Sequence, residues 1–329
     1  MFRIRYDLRI PPGGTLTHAE QYHHALAMAR WADERGFAGV GLSEHHGAED
    51  GFMHSPLTVA TAVLAATTHL NVSVSALLVP LHDAARLAEE IATIDLLAPG
   101  RLSVVAGLGY RDAEFEMFGK DPRRRVQDFE EAIDLMLRAW QGGEVTYRGR
   151  RVRVEPTPAT KPHPHLMIGG SVTASARRAA RFRLPYCPAV NEQALADAYY
   201  AEAAAVGFEH PLAVMGSGPG MVMVTRDPDA LWDRIGPSLL YDMQLYLSWQ
   251  DDSHKSSWRT PATSVDELRA SPNYAIVTPA ECVELVRTNG GATLHPLVAG
   301  IDPAIGWESL ELVVSEVMPA LGAPGSTGA

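Results

Sequence analysis

Apolar residues recur along this chain with two alternating periods. Short apolar, β-branched runs of strand character are followed by longer stretches in which apolar residues return every three or four positions, the spacing of a half-buried helix. The pattern predicts strands at residues 2–10, 40–43, 70–79, 101–107, 165–168, 185–190, 220–225 and 292–298. It predicts helices at 17–35, 56–67, 84–97, 124–140, 173–182, 194–206, 231–247, 279–287 and 303–321. Thr17 and Glu20 offer a capping box for the first helix. Residues 144–154 read as a hairpin with Gly149 in its turn. The polar stretch 250–273 reads as an inserted loop, with a lid as its candidate role. Eight βα units in one sheet predict an α/β fold, a (β/α)8 TIM barrel with inserted hairpin and loop segments. One domain over residues 1–329, with a frayed tail at 322–329, is expected. An open doubly wound sheet is the alternative, and the Gly-x-Gly-x-x-Gly turn it would favour is missing after the first strand.

Composition narrows the partners. The 329 residues are 46% hydrophobic and 20% charged, as in a globular protein with a sizeable core. Lys plus Arg total 28 against 39 Asp plus Glu, and the net charge of −11 argues against nucleic acid or an anionic membrane surface. Cys187 and Cys282 are far apart and match no metal-ligand spacing, so a reduced, disulfide-free chain is expected. The N-terminus lacks a signal-peptide core, and no stretch approaches the ~18 apolar residues of a spanning helix. A soluble, cytoplasmic protein is the expectation.

In a barrel, the residues that follow each strand line one mouth, where the chemistry sits. Those residues are Asp7, then Glu44, His45 and His46, then Ser75, Ala76 and Leu77, then Leu108, Gly109, Tyr110 and Arg111, then Gly169, Gly170 and Ser171, and His295. Side chains alternate across a strand, so His45 and His46 should point to opposite sides, which disfavours a two-histidine metal clamp. Structural capping histidines are the other reading of the pair. Gly169, Gly170, Ser171 and Thr173 at a helix start suit a phosphate, or an ordinary turn with Ser171 or Thr173 as N-cap. Gly107 and Gly109 suggest a flat ligand passing close to the backbone, or relief of crowding at the rim.

Several words of the sequence form a joint pattern. Ser43-Glu44-His45-His46, the run 70–80 ending in Val79-Pro80, and Ala98-Pro99-Gly100-Arg101-Leu102 leading to Gly107-Leu108-Gly109-Tyr110 are the first three. Phe115-Glu116-Met117-Phe118-Gly119 and Pro164-His165-Leu166-Met167-Ile168-Gly169-Gly170-Ser171 follow. In this order and spacing they resemble the bacterial luciferase-like monooxygenase family, most densely over residues 25–190. His295-Pro296-Leu297 and Trp307-Glu308-Ser309-Leu310 are similar to its flavin-dependent oxidoreductase branch. The resemblance implies a (β/α)8 barrel that binds reduced FMN, or in some branches the deazaflavin coenzyme, across its mouth. It implies that Gly170, Ser171 and Thr173 fall at the phosphate, next to Gly169. Ser75 and Ala76 occupy the position of a non-prolyl cis peptide beneath the flavin ring. His45 matches the histidine that faces flavin and substrate and transfers a proton, with Glu44 and His46 in support. Tyr110, His295 and His54 are second participants or plain pocket lining. Luciferase proper carries an arginine where this chain has Leu108 and a reactive cysteine where it has Gly107, so long-chain aldehyde bioluminescence is not supported.

The leading expectation is a two-component monooxygenase, using reduced FMN from a separate flavin reductase and O2 to oxygenate a small organic substrate. His45 would supply or accept a proton in a pocket that excludes water. Hydride transfer by the deazaflavin without oxygen chemistry is one alternative, and a non-catalytic flavin-binding partner subunit is another. The resemblance implies a homodimer. No metal, nucleic acid or membrane is expected as a partner.

Overall fold

The computed structural model describes residues 1–250, 255–256 and 259–322. Its strands are β1 (Phe2–Tyr6), β2 (Gly39–Leu42), β3 (Asn71–Leu78), β4 (Leu102–Gly107), β5 (Glu144–Tyr147), β6 (Arg150–Arg153), β7 (His165–Gly170), β8 (Tyr186–Pro188), β9 (Met221–Val224), β10 (Tyr274–Val277) and β11 (Ala292–Leu294). The helices are α1 (His18–Asp33), α2 (Pro56–Ala66), α3 (Ala84–Leu97), α4 (Asp112–Met117), α5 (Arg125–Ala139), α6 (Thr173–Arg181), α7 (Gln193–Ala205), α8 (Pro228–Ser248), α9 (Val265–Arg269), α10 (Pro279–Asn289), α11 (Pro303–Leu312) and α12 (Met318–Leu321). The predicted capping box of α1 forms, with Glu20 N–H donating to Thr17 Oγ1 at 3.2 Å and Thr17 N–H to Glu20 Oε2 at 2.8 Å.

Nine strands make one sheet in the order β10-β9-β11-β1-β2-β3-β4-β7-β8, with parallel pairing throughout. A further parallel bridge joins Tyr186 to Ala213. The fold is of the TIM-barrel type, and β5 and β6 form the predicted antiparallel hairpin outside the sheet. Eight of the nine strands lie where the hydrophobic pattern predicts them. The ninth, β10, pairs with β9 from Tyr274↔Met221 to Val277↔Val224. Its four residues carry too short an alternation to be told from the end of a loop. Within 250–273, α9 starts at an N-cap whose Ser264 Oγ accepts the Glu267 N–H at 3.2 Å, so that stretch is not all loop. Residues 251–254, 257–258 and 323–329 of the expected insertion and tail lie outside the described residues.

Three boundaries differ from expectation for local reasons. The first strand stops at Tyr6 because Leu8 adopts a left-handed φ of 58° and turns the chain, which sends Arg9 inward. The last strand ends at Leu294, short of the tight turn Val298–Gly300. The final helix is interrupted by a wider π-helical turn over Val313–Val317. The pattern did not announce α4, only six residues long.

Alternation along the strands separates two environments. Phe2, Ile4 and Tyr6 of β1, and Val72, Val74, Leu102 and Val104 of β3 and β4, are buried in the hydrophobic core. On the opposite face Arg5 donates to Ser43 Oγ at 3.2 Å, and Ser73 pairs with Ser103. A barrel of this type ordinarily fills that interior with bulky branched residues. Here most positions of β1 to β4 on that face are short or polar, among them Arg5, Gly41, Ser73, Ser75 and Ser103, and Val105 is the branched exception. No helix among the described residues is long and apolar enough to cross a membrane.

Candidate active site at the barrel mouth

The two adjacent histidines lie past the end of β2, in the loop that follows it, and their side chains diverge. His45 is 5% exposed, and its ring sits among Phe52, Tyr110, Tyr246 and Trp249, with centroids 4.8, 5.6, 5.7 and 5.2 Å away. Its Nδ1 is 2.9 Å from Glu114 Oε1, and its Nε2 faces the Tyr110 hydroxyl at 3.5 Å. Glu114, on α4, also accepts the His46 N–H at 2.9 Å and an Arg111 N–H at 3.1 Å. Burial opposes ionisation of Glu114, but these bonds outweigh it and hold the carboxyl below its ordinary value. Burial also holds His45 below the ordinary imidazole value, against the opposing pull of Glu114. An ionised Glu114 fixes the proton of a neutral His45 on Nδ1 and leaves Nε2 as a base.

His46 turns outward. Its Nε2 lies 3.0 Å from Glu44 Oε1, His82 Nε2 lies 2.8 Å from the same oxygen, and the Leu78 N–H donates to Glu44 Oε2 at 2.5 Å. Burial works against ionisation of Glu44, yet these donors depress its carboxyl to about 2. Glu44 therefore ties β2 to the end of β3. His54 contacts Ser55 and lines a separate outer groove with His46, His82, Met117 and Phe118, so it does not join the His45 pocket. Among the described residues, no group of three His, Cys, Asp or Glu is placed to hold a metal ion.

Along the ends of β3, β4 and β7 the rim is made of small residues. The Ser75–Ala76 peptide bond is cis, and Ser75 is exposed. A Cβ on Gly107 would lie 2.7 Å from the Ala76 Cβ, so only glycine lets β4 pass this close. Gly109 follows with φ 74°. Gly170 has φ 136°, and a Cβ there would meet Ser175 Oγ at 2.5 Å. The predicted cap of α6 is corrected: Val172, not Ser171 or Thr173, is the N-cap residue, and Ser175 Oγ donates to Val172 O at 2.6 Å. Gly169, Ser171 and Thr173 do lie at this strand-to-helix turn, beside the open rim. A flat group with a phosphate tail suits such a rim, because Gly107, Gly109, Gly169 and Gly170 bring bare backbone to it.

Beneath the mouth, opposite this rim, is a cavity of about 30 Å³ bordered by Arg5, Asp7, Asp242, Tyr246, Tyr274 and His295. Fully buried Arg9 donates from Nε to Asp50 Oδ2 at 2.5 Å and pairs with the Asp242 carboxylate. Burial pushes Asp242 up to about 7 despite Arg9, and burial likewise raises Asp7. Burial drives His295 well below the ordinary imidazole value, so it contributes a neutral ring. Sequence reasoning placed Tyr110 and His295 near the mouth but missed Glu114, Asp242, Tyr246, Trp249 and Phe52. Asp242, Tyr246 and Trp249 recur at helical spacing along the end of α8, which was the signal available.

Comparison with known proteins follows this geometry. The model of the family described as luciferase-like monooxygenase matches residues 7–294. The alkanal monooxygenase alpha chain of the Kryptophanaron alfredi symbiont is 25% identical over 93% of this chain and 94% of its own. The chain spans about half the length of two other curated relatives, both uncharacterized proteins of Sinorhizobium fredii. Three solved structures share the fold. They are a monooxygenase from Streptomyces bottropensis (TM-score 0.76, 21% identity, covering 97% of this chain and 99% of that one), the oxygenating constituent of 3,6-diketocamphane monooxygenase from Pseudomonas putida, in complex with FMN (0.69, 17%, 97% of each), and an F420-dependent secondary alcohol dehydrogenase with an F420–acetone adduct (0.68, 17%, 98% of each).

Proposed function

The chain belongs to the luciferase-like monooxygenase family, and on that premise we propose that it is a flavin-dependent oxidoreductase, a two-component monooxygenase acting on a small organic substrate. The observation that carries this reading is the buried His45–Glu114 pair beside a rim of Ser75, Ala76 and Gly107 stripped of side-chain bulk. When bound, reduced FMN from a separate reductase supplies the electrons that activate O2. Ser75, Ala76, Gly107 and Gly109 would hold the ring, and Gly169, Gly170, Ser171 and Thr173 the phosphate end. Glu114 orients the imidazole, and His45 Nε2 holds or moves the proton. Phe52, Tyr246 and Trp249 exclude water from that nitrogen. In this reading residues 1–329 act as one domain, as a homodimer, in the cytoplasm.

Anaerobic titration with reduced FMN and, separately, with the deazaflavin coenzyme, read by tryptophan fluorescence, tests the assignment. Saturable binding of reduced FMN, followed by substrate-dependent O2 uptake, is expected. Binding of the deazaflavin alone overturns it in favour of hydride transfer, and binding of neither overturns it in favour of a non-catalytic subunit.

A further inference from the structure

A base that changes its proton in every cycle needs a route to solvent, and His45 is almost wholly buried. Its Nδ1 is committed to Glu114, whose depressed carboxyl does not carry a proton at neutral pH. The remaining nitrogen, Nε2, faces the Tyr110 hydroxyl. That hydroxyl is in turn hydrogen-bonded to the hydroxyl of Tyr246. Tyr246 lies one helical turn beyond Asp242 on α8, so the two side chains share a face. Both border the inner cavity, whose roughly 30 Å³ is room for a water or two.

We propose that Tyr110, Tyr246 and Asp242 form a proton path joining His45 Nε2 to the inner cavity. The proposal rests on the reading of His45 as the proton-transferring group. The transfer balances in charge and atoms. The imidazolium gives its Nε2 proton to the Tyr110 oxygen, Tyr110 passes its own proton to Tyr246, and Tyr246 passes its proton through cavity water to the Asp242 carboxylate. His45 ends neutral and Asp242 ends as the acid; the reverse sequence reloads the base.

The other carboxylates of the cluster are less suited to the terminal role. Asp50 and Asp242 both pair with Arg9, and Asp7 accepts the Arg9 backbone N–H at 3.3 Å, but of the three only Asp242 both borders the cavity and lies one turn from Tyr246 on the same helix. Asp242 is surrounded by Arg5, Asp7 and Arg9 from the end of β1, Asp50 from the segment after β2, Tyr274 from β10, and Tyr241 and Tyr246 from its own helix. His295 borders the same cavity. In that company burial pushes its carboxyl up to about 7 against the pull of Arg9, toward the range where a proton carrier of a neutral-pH enzyme is useful.

The test uses nitrogen-15 histidine NMR on the flavin-free chain, with the solvent isotope effect on turnover as a second readout. Tyr246→Phe removes one hydroxyl and keeps the ring, so the fold and the wall around His45 remain. We expect exchange of the His45 imidazole proton with solvent to slow by about tenfold or more, with little change in the pH at which His45 titrates. Asp242→Asn should slow it similarly and erase the dependence of exchange on pH near 7, and Asp242→Glu should restore both. Exchange and isotope effect equal to wild type in Tyr246→Phe overturn the path, whether or not Asp242→Asn folds. Loss of reduced-FMN binding by the wild-type chain would sink the flavin reading, whereas the NMR exchange rates judge the path without flavin.

Discussion

The two faces of the chain at residues 44–46 use the same chemical parts for different ends. Inside, one carboxylate, Glu114, meets one imidazole, His45, and the second ring nitrogen is left facing a hydroxyl within a case of aromatic rings. Outside, one carboxylate, Glu44, is consumed by two imidazoles and a backbone N–H. A hydrogen-bonded imidazole–carboxylate pair is therefore not in itself a mark of catalysis. What separates the two is the fate of the last polar atom: the outer carboxylate spends both oxygens on holding β2 to β3, while the inner imidazole keeps one nitrogen for transfer.

Substitutions on the two faces should separate accordingly. His45→Ala is expected to lower turnover by about 10²- to 10⁴-fold while reduced-FMN affinity, measured by fluorescence titration, stays near wild type; unchanged turnover would remove His45 from the chemistry. Glu114→Gln tests the same face through acidity. Burial alone already lowers His45 and Glu114 opposes it, so loss of that charge should move the low-pH limb of turnover further down. A limb that stays in place or rises breaks the assignment of Glu114 as the orienting partner.

Glu44→Gln should act chiefly on stability. The Glu44 carboxyl is depressed from 4.5 to about 2, a shift worth roughly 3 kcal/mol at neutral pH. Because the folded value is the lower one, that stabilisation is present above the unfolded pKa near 4.5 and is lost as pH falls toward 2. Urea unfolding at pH 7 should show the variant destabilised by about that amount, with the gap closing in acid; a gap that is constant with pH contradicts the ionic origin. His46→Asn should cost least, about 1 kcal/mol, since Glu44 keeps His82 and the Leu78 N–H. A fall in turnover as large as that of His45→Ala would erase the distinction between the faces.

The divergence of the two histidines was expected from strand alternation in the sequence, and it is found, although His45 and His46 lie in the loop beyond the end of β2. The barrel-type fold was legible for the same reason, since eight strands each carry a readable apolar run. What escaped was held by short or distant elements. Glu114 lies 69 positions from His45 on a helix too short for a helical period. Asp242 lies 233 positions from Arg9, and its burial follows from how α8 settles over the mouth, which no local pattern encodes. β10 escaped because four residues do not establish a period. Gly107 and Gly170 could be flagged from the sequence, but that Ala76 and Ser175 are the atoms they make room for is known only once strands and helix are placed.

The pairing of β1 with β11 sets an order of events for the newborn chain. Phe2 aligns with Ala292, and Arg9 reaches Asp242. The first strand thus leaves the ribosome long before one of its two neighbours exists, and contacts of such sequence separation form late and slowly. Until residue 294 has been made, one edge of β1 has no strand to pair with, and until α8 arrives the guanidinium of Arg9 lacks the Asp242 carboxylate. The inner cavity is consequently assembled only after α8 and β11 have both been made.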